Sequence, residues 1–290
     1  MILSDLLVRY LRLPDHPAKY RLVRWLGRHV FPTEGVIAEV EPGVRLRLHP
    51  SDWIEYVLLR DGRYEPATLN FLARNLRPAD SALLAGVNNG LHVIVAAMAV
   101  GRTGCVVGVE PQPAALLRAR VNIELNGVGE RVHLVGSAVG AASTLAHMAW
   151  SSPENPGATS LFDPGPGLLV PLVPLSHILR VLDLDHLRLI LLDVQGYEFP
   201  ALEGLASHSL PDLLVVEDSP EYLARAGIPR ERLYARLIEM GYTLHDLYGH
   251  SMTSQGEPPL ESNVVGLREG AEVNWCERPQ SSKNGRDREI

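Results

Sequence analysis

The densest chemistry begins at residue 86, where Gly86-Val87-Asn88-Asn89-Gly90 follows the apolar run that starts at Ser81. Glycines at a strand-to-helix turn permit a tight bend and close backbone approach, and the helix that follows offers its amino end to a negatively charged ligand group. Glu110 closes the next apolar run, which starts at Cys105. An acid at that place can accept hydrogen bonds from both hydroxyls of a ribose. Strand, glycine turn, helix, strand and acid in this order predict a site for a nucleoside-containing cofactor, with Gly86, Asn88, Gly90 and Glu110 binding it. Two more acids end apolar runs, Asp193 and Glu217. In open α/β sheets ligands bind beyond the carboxyl ends of the strands, so either carboxylate can act as a base on a bound acceptor. For Glu217, capping of the following helix is an equally good reading.

The turn also selects among cofactors. A dinucleotide fingerprint, G-x-G-x-x-G, needs its second glycine where this chain has Asn88, and a side chain there obstructs a pyrophosphate. That counts against an NAD-dependent oxidoreductase. S-adenosylmethionine presents an amino acid and a sulfonium instead, which suits the wider turn. His92 follows the turn directly and either lines the pocket or packs within its helix. The other histidines form no H-x-x-x-H or H-x-H pair, so no protein metal site is expected.

These residues need a scaffold, and its elements are legible. Ser81–Gly86, Cys105–Glu110, Val132–Val135, Leu187–Asp193 and Leu213–Glu217 read as buried strands, with helices near 90–100, 113–125, 197–206 and 229–240 between them. Alternation of this kind signals a mostly parallel, doubly wound α/β sheet covered on both faces. Tyr242–Leu247 and Ser262–Leu267 would close it as an antiparallel pair. Residues 157–174, rich in Gly and Pro, read as a loop or short edge element. Upstream, Leu3, Leu6, Leu7, Tyr10 and Leu11 carry helical spacing, and Leu22, Trp25 and Leu26 repeat it. Val36–Val40 and Val44–Leu48 form a hairpin about Glu41-Pro42-Gly43, and a helix starts at Pro66. The predicted organisation is a helical and hairpin segment over 1–78 that can cap the substrate, a cofactor domain over 79–268, and a disordered tail over 277–290.

Composition narrows the classes. The chain has 290 residues, 34 acidic against 27 basic, and a net charge of −7, which argues against broad nucleic-acid binding. Cys105 and Cys276 are isolated thiols, as suits a reducing compartment. The amino terminus lacks a signal-peptide pattern, and no run reaches the roughly 20 apolar residues of a membrane span. A cytoplasmic enzyme with a small-molecule or glycan acceptor is the expectation.

Several stretches, taken in order, add a resemblance. Gly62-Arg63-Tyr64-Glu65-Pro66, the glycine turn with Leu91-His92, Gly104 to Pro111, Asn122-Ile123-Glu124-Leu125-Asn126-Gly127, Ser137-Ala138-Val139-Gly140 and Asp193-Val194-Gln195-Gly196-Tyr197-Glu198 resemble FkbM-type S-adenosylmethionine-dependent methyltransferases. The likeness runs from about Gly62 to about Leu267. It implies a class I, Rossmann-like methyltransferase fold and methylation of hydroxyls on sugars or secondary metabolites. It also implies Ser137 and Ala138 beside the adenine, Asp193 facing the reaction centre, and Tyr64 and Glu65 closing over the cofactor. Three positions depart from the family pattern. Leu84 stands for an Asp that would contact the cofactor's amino group, Leu191 for a Lys, and Gln195 for a Glu. Asn88 and Asn89 offer side-chain carbonyls in place of the missing Asp. The departures leave open a degenerate, cofactor-binding or interaction protein of the same fold.

Overall fold

The computed structural model describes residues 2–14, 16–149, 161–162, 165–184, 187–257 and 259–278. The central sheet contains β3 (Ser81–Ala85), β4 (Cys105–Val109), β5 (Val132–Val135), β9 (Leu189–Leu192), β10 (Leu213–Glu217), β11 (Tyr242–His245) and β12 (Asn263–Arg268). Its order is β11-β12-β10-β9-β3-β4-β5. The five strands from β10 to β5 run parallel, and β12 inserts antiparallel between β10 and β11. Strand order reverses about β3, which places the ligand crevice of such a sheet at the carboxyl ends of β3 and its neighbours.

Period-two alternation sorts the strand residues onto two cores. Ala82, Leu84, Val106, Leu189, Leu191 and Val215 face one cluster. Leu83, Ala85, Val107, Ile190, Leu192 and Val216 face the other. The first core is roofed by α3 (Trp53–Asp61), α4 (Pro66–Asn75), α5 (Leu91–Ala99) and α6 (Pro113–Leu125). The second is covered by α7 (Leu175–Val181), α8 (Glu198–Glu203) and α10 (Arg230–Glu239). α9 (Pro220–Arg225) follows β10. Burying an apolar side chain on either face is worth about 1.5–3 kcal/mol, so a strand apolar on both sides is secured twice.

The amino-terminal elements are α1 (Ile2–Leu11), α2 (Lys19–Val30) and the hairpin β1 (Val36–Glu41) with β2 (Val44–Leu48). Leu7, Leu11, Val23, Leu46 and Leu48 enter the first core, so this segment shares its apolar interior with the sheet. α3 begins where Asp52 accepts from the N–H groups of Ile54 and Glu55 and ends at Gly62 in the left-handed region.

Two differences from the expected elements are instructive. Residues 167–173, read as loop or short edge element, form a full strand: β8 (Gly167–Val173) pairs with β6 (Ala138–Val139) and β7 (Thr144–Ala149) at the centre of a separate three-stranded sheet. Pro171 sits within β8, which hid the strand behind a turn signal. The helices α3, α7 and α9 also carried too few periodic positions to be read. Residues 157–160 and 163–164 of the Gly- and Pro-rich stretch, and 279–290 of the expected tail, lie outside the described residues. Among the described residues no helix is long and apolar enough to cross a membrane.

Candidate functional site

The glycine turn is built by backbone constraints. Gly86 adopts φ 92°, and a Cβ there would lie 1.9 Å from the carbonyl oxygen of Asp193, so β3 and β9 can meet only through a glycine. Gly90 (φ 93°) lets the first turn of α5 approach Ala119 of α6. Asn88 is itself left-handed at φ 49°, a conformation that costs a non-glycine residue free energy and concentrates at functional sites. Its N–H donates to Oε2 of Glu110 at 3.1 Å, while Oε1 of Glu110 accepts from Gln112 at 3.0 Å. Turn and acid therefore form one unit. Burial raises the proton affinity of Glu110, and the N–H donors of Gln112 and Asn88 with the charge of Arg118 oppose that rise.

Asn88 and Asn89 part company here. Oδ1 of Asn89 accepts from the N–H of Leu91 at 3.2 Å, so the carbonyl expected to face a cofactor is committed to the helix start. Oδ1 of Asn88 is buried with no hydrogen-bond partner among the described residues, as is the Oγ of Ser137 beyond β5. Two orphaned oxygens and a carboxylate along one sheet edge fit the polar groups of a nucleoside bearing an amino acid. Ala138 is buried in β6 beside Ser137.

The second group gathers beyond β9 and β10. Nε2 of Gln195 donates to Oδ1 of Asp193 at 2.9 Å, from a backbone held at φ 56°. The carboxyls of Asp193 and Glu217 are neighbours whose mutual contact lowers Asp193 and raises Glu217. Burial first, then the charges of Asp193 and Glu198, lift Glu217 well above the usual carboxylate range. Burial and then the charge of Glu65 lift Asp193, with Gln195 and His92 opposing. Nε2 of His92 lies 3.2 Å from Oε2 of Glu65, with the ring N–H not aimed along that line. Burial would lower the His92 pKa, but Glu65, Asp193 and Glu261 more than reverse it. The Tyr64 phenol is pushed up by burial and then by Glu65 and Asp193. Tyr64, Glu65, His92, Asp193, Gln195 and Glu217 thus share one electrostatic neighbourhood.

Other members carried no predicted role in the site. Glu261 accepts from the N–H groups of Ala67 and Thr68, capping α4 across the chain, and no local pattern could reveal a partner 194 residues away. Glu198 accepts from the N–H groups of Val194 and Gly196 and so clamps the loop that carries Asp193. Asn122 on α6 and Asn126, which caps its carboxyl end, lie one helical turn apart. Their Oδ1 atoms accept from the N–H groups of Arg47 and Arg45, and Nδ2 of Asn122 donates to the carbonyl of Asn89. They tie β2 to α6 and α6 to the glycine turn. Asn122→Ala is expected to cost about 1–3 kcal/mol in urea unfolding, because it strands a backbone donor and a carbonyl.

Carboxyls buried this way set the direction of the stability profile. Glu55 is pushed up to about 7 by burial and then Asp52, with Arg118 and the His49 N–H opposing. Glu198 is pushed up to about 7, chiefly by burial. Between their ordinary value of 4.5 and about 7, the folded chain holds more protons than the unfolded one. Stability therefore falls as pH rises through that window. Melting temperatures measured across it in one buffer series should decline.

A separate concavity lies far from these residues. With a volume of about 700 Å³, it opens at the opposite, amino edge of the sheet, lined by Arg77, Asp80, Arg188, Asp212, Arg268 and Glu272 among others. Its arginines are already engaged: Arg77 with Glu272, Arg188 with Asp212, and Arg268 with the carbonyl of Leu210. It is a salt-bridged surface distant from the carboxyl ends. Among the described residues no group of three or more His, Cys, Asp or Glu side chains is placed to hold a metal ion.

The strand order, the glycine turn and the carboxyl-edge acids define a class I S-adenosylmethionine-dependent methyltransferase. The model of the methyltransferase FkbM domain matches residues 85–242, more than half of the chain, and the chain belongs to that family. No curated protein sequence matches the chain. Similar solved structures include the O-methyltransferase of Bacillus cereus in complex with S-adenosylhomocysteine, at 14% identity over 91% of this chain and 97% of that one (TM-score 0.39). TomG, an O-methyltransferase of Streptomyces achromogenes in complex with S-adenosylmethionine, gives 15% over 70% and 79% (0.40). An rRNA methylase of Streptococcus thermophilus gives 13% over 69% and 93% (0.38). At such scores none bears on the acceptor.

The family assignment sharpens the departures. Leu84 and Leu191 are direct cross-strand partners between β3 and β9, and both are buried in the first core. The Asp and Lys that the family resemblance implies at these places would face each other as an ion pair. Here one apolar pair replaces it, an exchange that is often neutral or stabilising. Leu84 is therefore core packing, and the side-chain carbonyl of the turn that has no partner among the described residues is that of Asn88.

Proposed function

We propose that this methyltransferase transfers its methyl group to a hydroxyl of a sugar or secondary metabolite, with the Asp193–Glu217 pair as the base. The observation that carries the reading is the placement of Asp193 just beyond β9, where it accepts from Gln195 at 2.9 Å beside Glu217 in a buried, acidic neighbourhood. Bound S-adenosylmethionine supplies an electrophilic methyl on a sulfonium. Glu110 would hold the ribose, the Gly86–Gly90 turn the amino-acid end, Ser137 and Ala138 the adenine. Asp193 takes the proton of the acceptor hydroxyl as its oxygen attacks, Gln195 fixes the rotamer of Asp193, and Glu65 and Tyr64 flank the acceptor beneath the amino-terminal segment. Alignment provides most of the rate, and proton removal adds about 10²–10⁴-fold.

Support for a working enzyme comes from the paired leucines, since two of the three departures compensate one another. Incubation with methyl-labelled cofactor and a panel of hydroxylated sugars and aglycones, read by mass spectrometry, tests the reading. Label on nitrogen or carbon, or on no acceptor at all, would refute it. Glu110→Ala removes both the ribose acceptor and the clamp on Asn88. Cofactor affinity in calorimetry should fall tenfold or more, charge-assisted hydrogen bonds being worth about 1.5–3 kcal/mol, while circular dichroism stays unchanged.

A further inference from the structure

The first thirty residues differ in charge from the rest of the chain. Arg9, Arg12, Lys19, Arg21, Arg24 and Arg28 stand there against only Asp5 and Asp15, in a protein whose net charge is −7. Lys19 is withdrawn from this surface: it is fully buried, and its Nζ donates to the carbonyls of Leu11 and Leu13. Arg9, Arg12 and Arg21 are exposed. So are four large apolar side chains, Leu6 (54%), Leu13 (58%), Leu22 (40%) and Trp25 (62%). On α1, Leu6 and Arg9 recur at helical spacing opposite the inward Leu7 and Leu11. On α2, Leu22 and Trp25 do so opposite the inward Val23. Each helix thus shows the core one apolar stripe and turns a second, flanked by arginines, outward.

We propose that α1 and α2 form a docking surface for an anionic phospholipid bilayer, with Trp25, Leu22, Leu13 and Leu6 entering the headgroup boundary and the arginines meeting lipid phosphates and carboxylates. Charge complementarity selects this occupant. A two-fold dimer would set the same basic face against itself, a like-charge contact that costs free energy. A nucleic acid would match the arginines but leave the leucines in water. An anionic bilayer satisfies both, and weak apolar insertion combined with a basic cluster is what gives reversible attachment at an interface. Such attachment needs no membrane-spanning helix.

The test uses the full chain and sedimentation with vesicles, either of phosphatidylcholine alone or with about one third phosphatidylserine. Binding is expected to the mixed vesicles only and should be lost on raising salt from about 0.05 to about 0.5 M. Each arginine near the surface is worth about fivefold in partitioning, so Arg9→Glu/Arg12→Glu/Arg21→Glu should lower it by on the order of 100-fold or more. Leu22→Ser/Trp25→Ser should abolish binding in the same assay. Both variants should melt with the wild type, because the altered side chains are exposed. The proposal is overturned by equal binding to neutral vesicles, or by no binding at low salt. It is also overturned by retention on an RNA homopolymer without vesicle binding, or by a dimer in sedimentation velocity that Leu22→Ser/Trp25→Ser dissociates, which would give the face to a second copy.

Discussion

Leu84→Asp is expected to destabilise the fold by about 3–5 kcal/mol, and the double variant Leu84→Asp/Leu191→Lys to recover most of that loss. The single change puts an unpaired carboxylate into a position with no solvent exposure, between Leu191 on β9 and the helices above the first core. A charge there either ionises at a steep desolvation cost or stays protonated without a partner. Leu191→Lys alone should be comparably harmful, since Leu191 is only 4% exposed. Together the two set opposite charges on adjacent strands, so the coupling energy should be large and favourable. Urea unfolding of the four proteins closes the double-mutant cycle. Additive losses would mean that the two positions are independent, and the compensation argument would fail. Calorimetry with S-adenosylmethionine on the double variant adds a second reading, because an Asp held by the introduced lysine on β9 is not free to recruit the cofactor's amino group.

That pair shows how far the residues could be read unaided. Near-continuous apolar runs made the central strands legible, because a strand buried on both faces needs apolar residues at every position. Its neighbours were not: whether Leu84 looks into a core or a crevice depends on which strand lies beside β3, and β9 lies more than 100 residues on. Glycine turn, Glu110, Asp193 and Glu217 were legible because strand ends carry their own punctuation. Glu261 was not, since its role as the cap of α4 exists only once β12 has entered the sheet. Asn122 and Asn126 were visible as a motif, yet their task of holding the hairpin to α6 appears only with β2 in place. The strand β8, central in the small three-stranded sheet, was missed for a local reason, a proline inside a strand whose partners lie outside the main sheet.

Asp193→Asn should lower kcat by about 10²–10⁴-fold while leaving cofactor affinity within a few-fold. The amide keeps the shape of the site and can still pair with Gln195 and Glu217, but it cannot take a proton from a hydroxyl. Glu217→Gln should be milder. It replaces the carboxyl beside Asp193 with a neutral amide that can donate to it, so Asp193 stays oriented and loses a neighbouring like charge. The pH dependence discriminates these roles. Burial and the neighbouring Glu65 raise Asp193, and burial with Asp193 raises Glu217, so the acid limb of kcat should belong to the pair and lie above the usual carboxylate range. Activity then increases with pH through that limb as Asp193 loses its own proton and becomes able to accept one from the acceptor. Gln195→Glu exchanges a donor to Asp193 for another carboxyl in a neighbourhood that already holds Glu65 and Glu217. Like charge favours the protonated pair, so the limb should move to higher pH, by about one unit for a nearby like charge. A limb that does not move, with turnover intact, would show that Asp193 orients the acceptor without taking its proton. The proton would then have to leave through the Glu65–His92 pair, and Glu65→Gln would be the variant that stops the reaction.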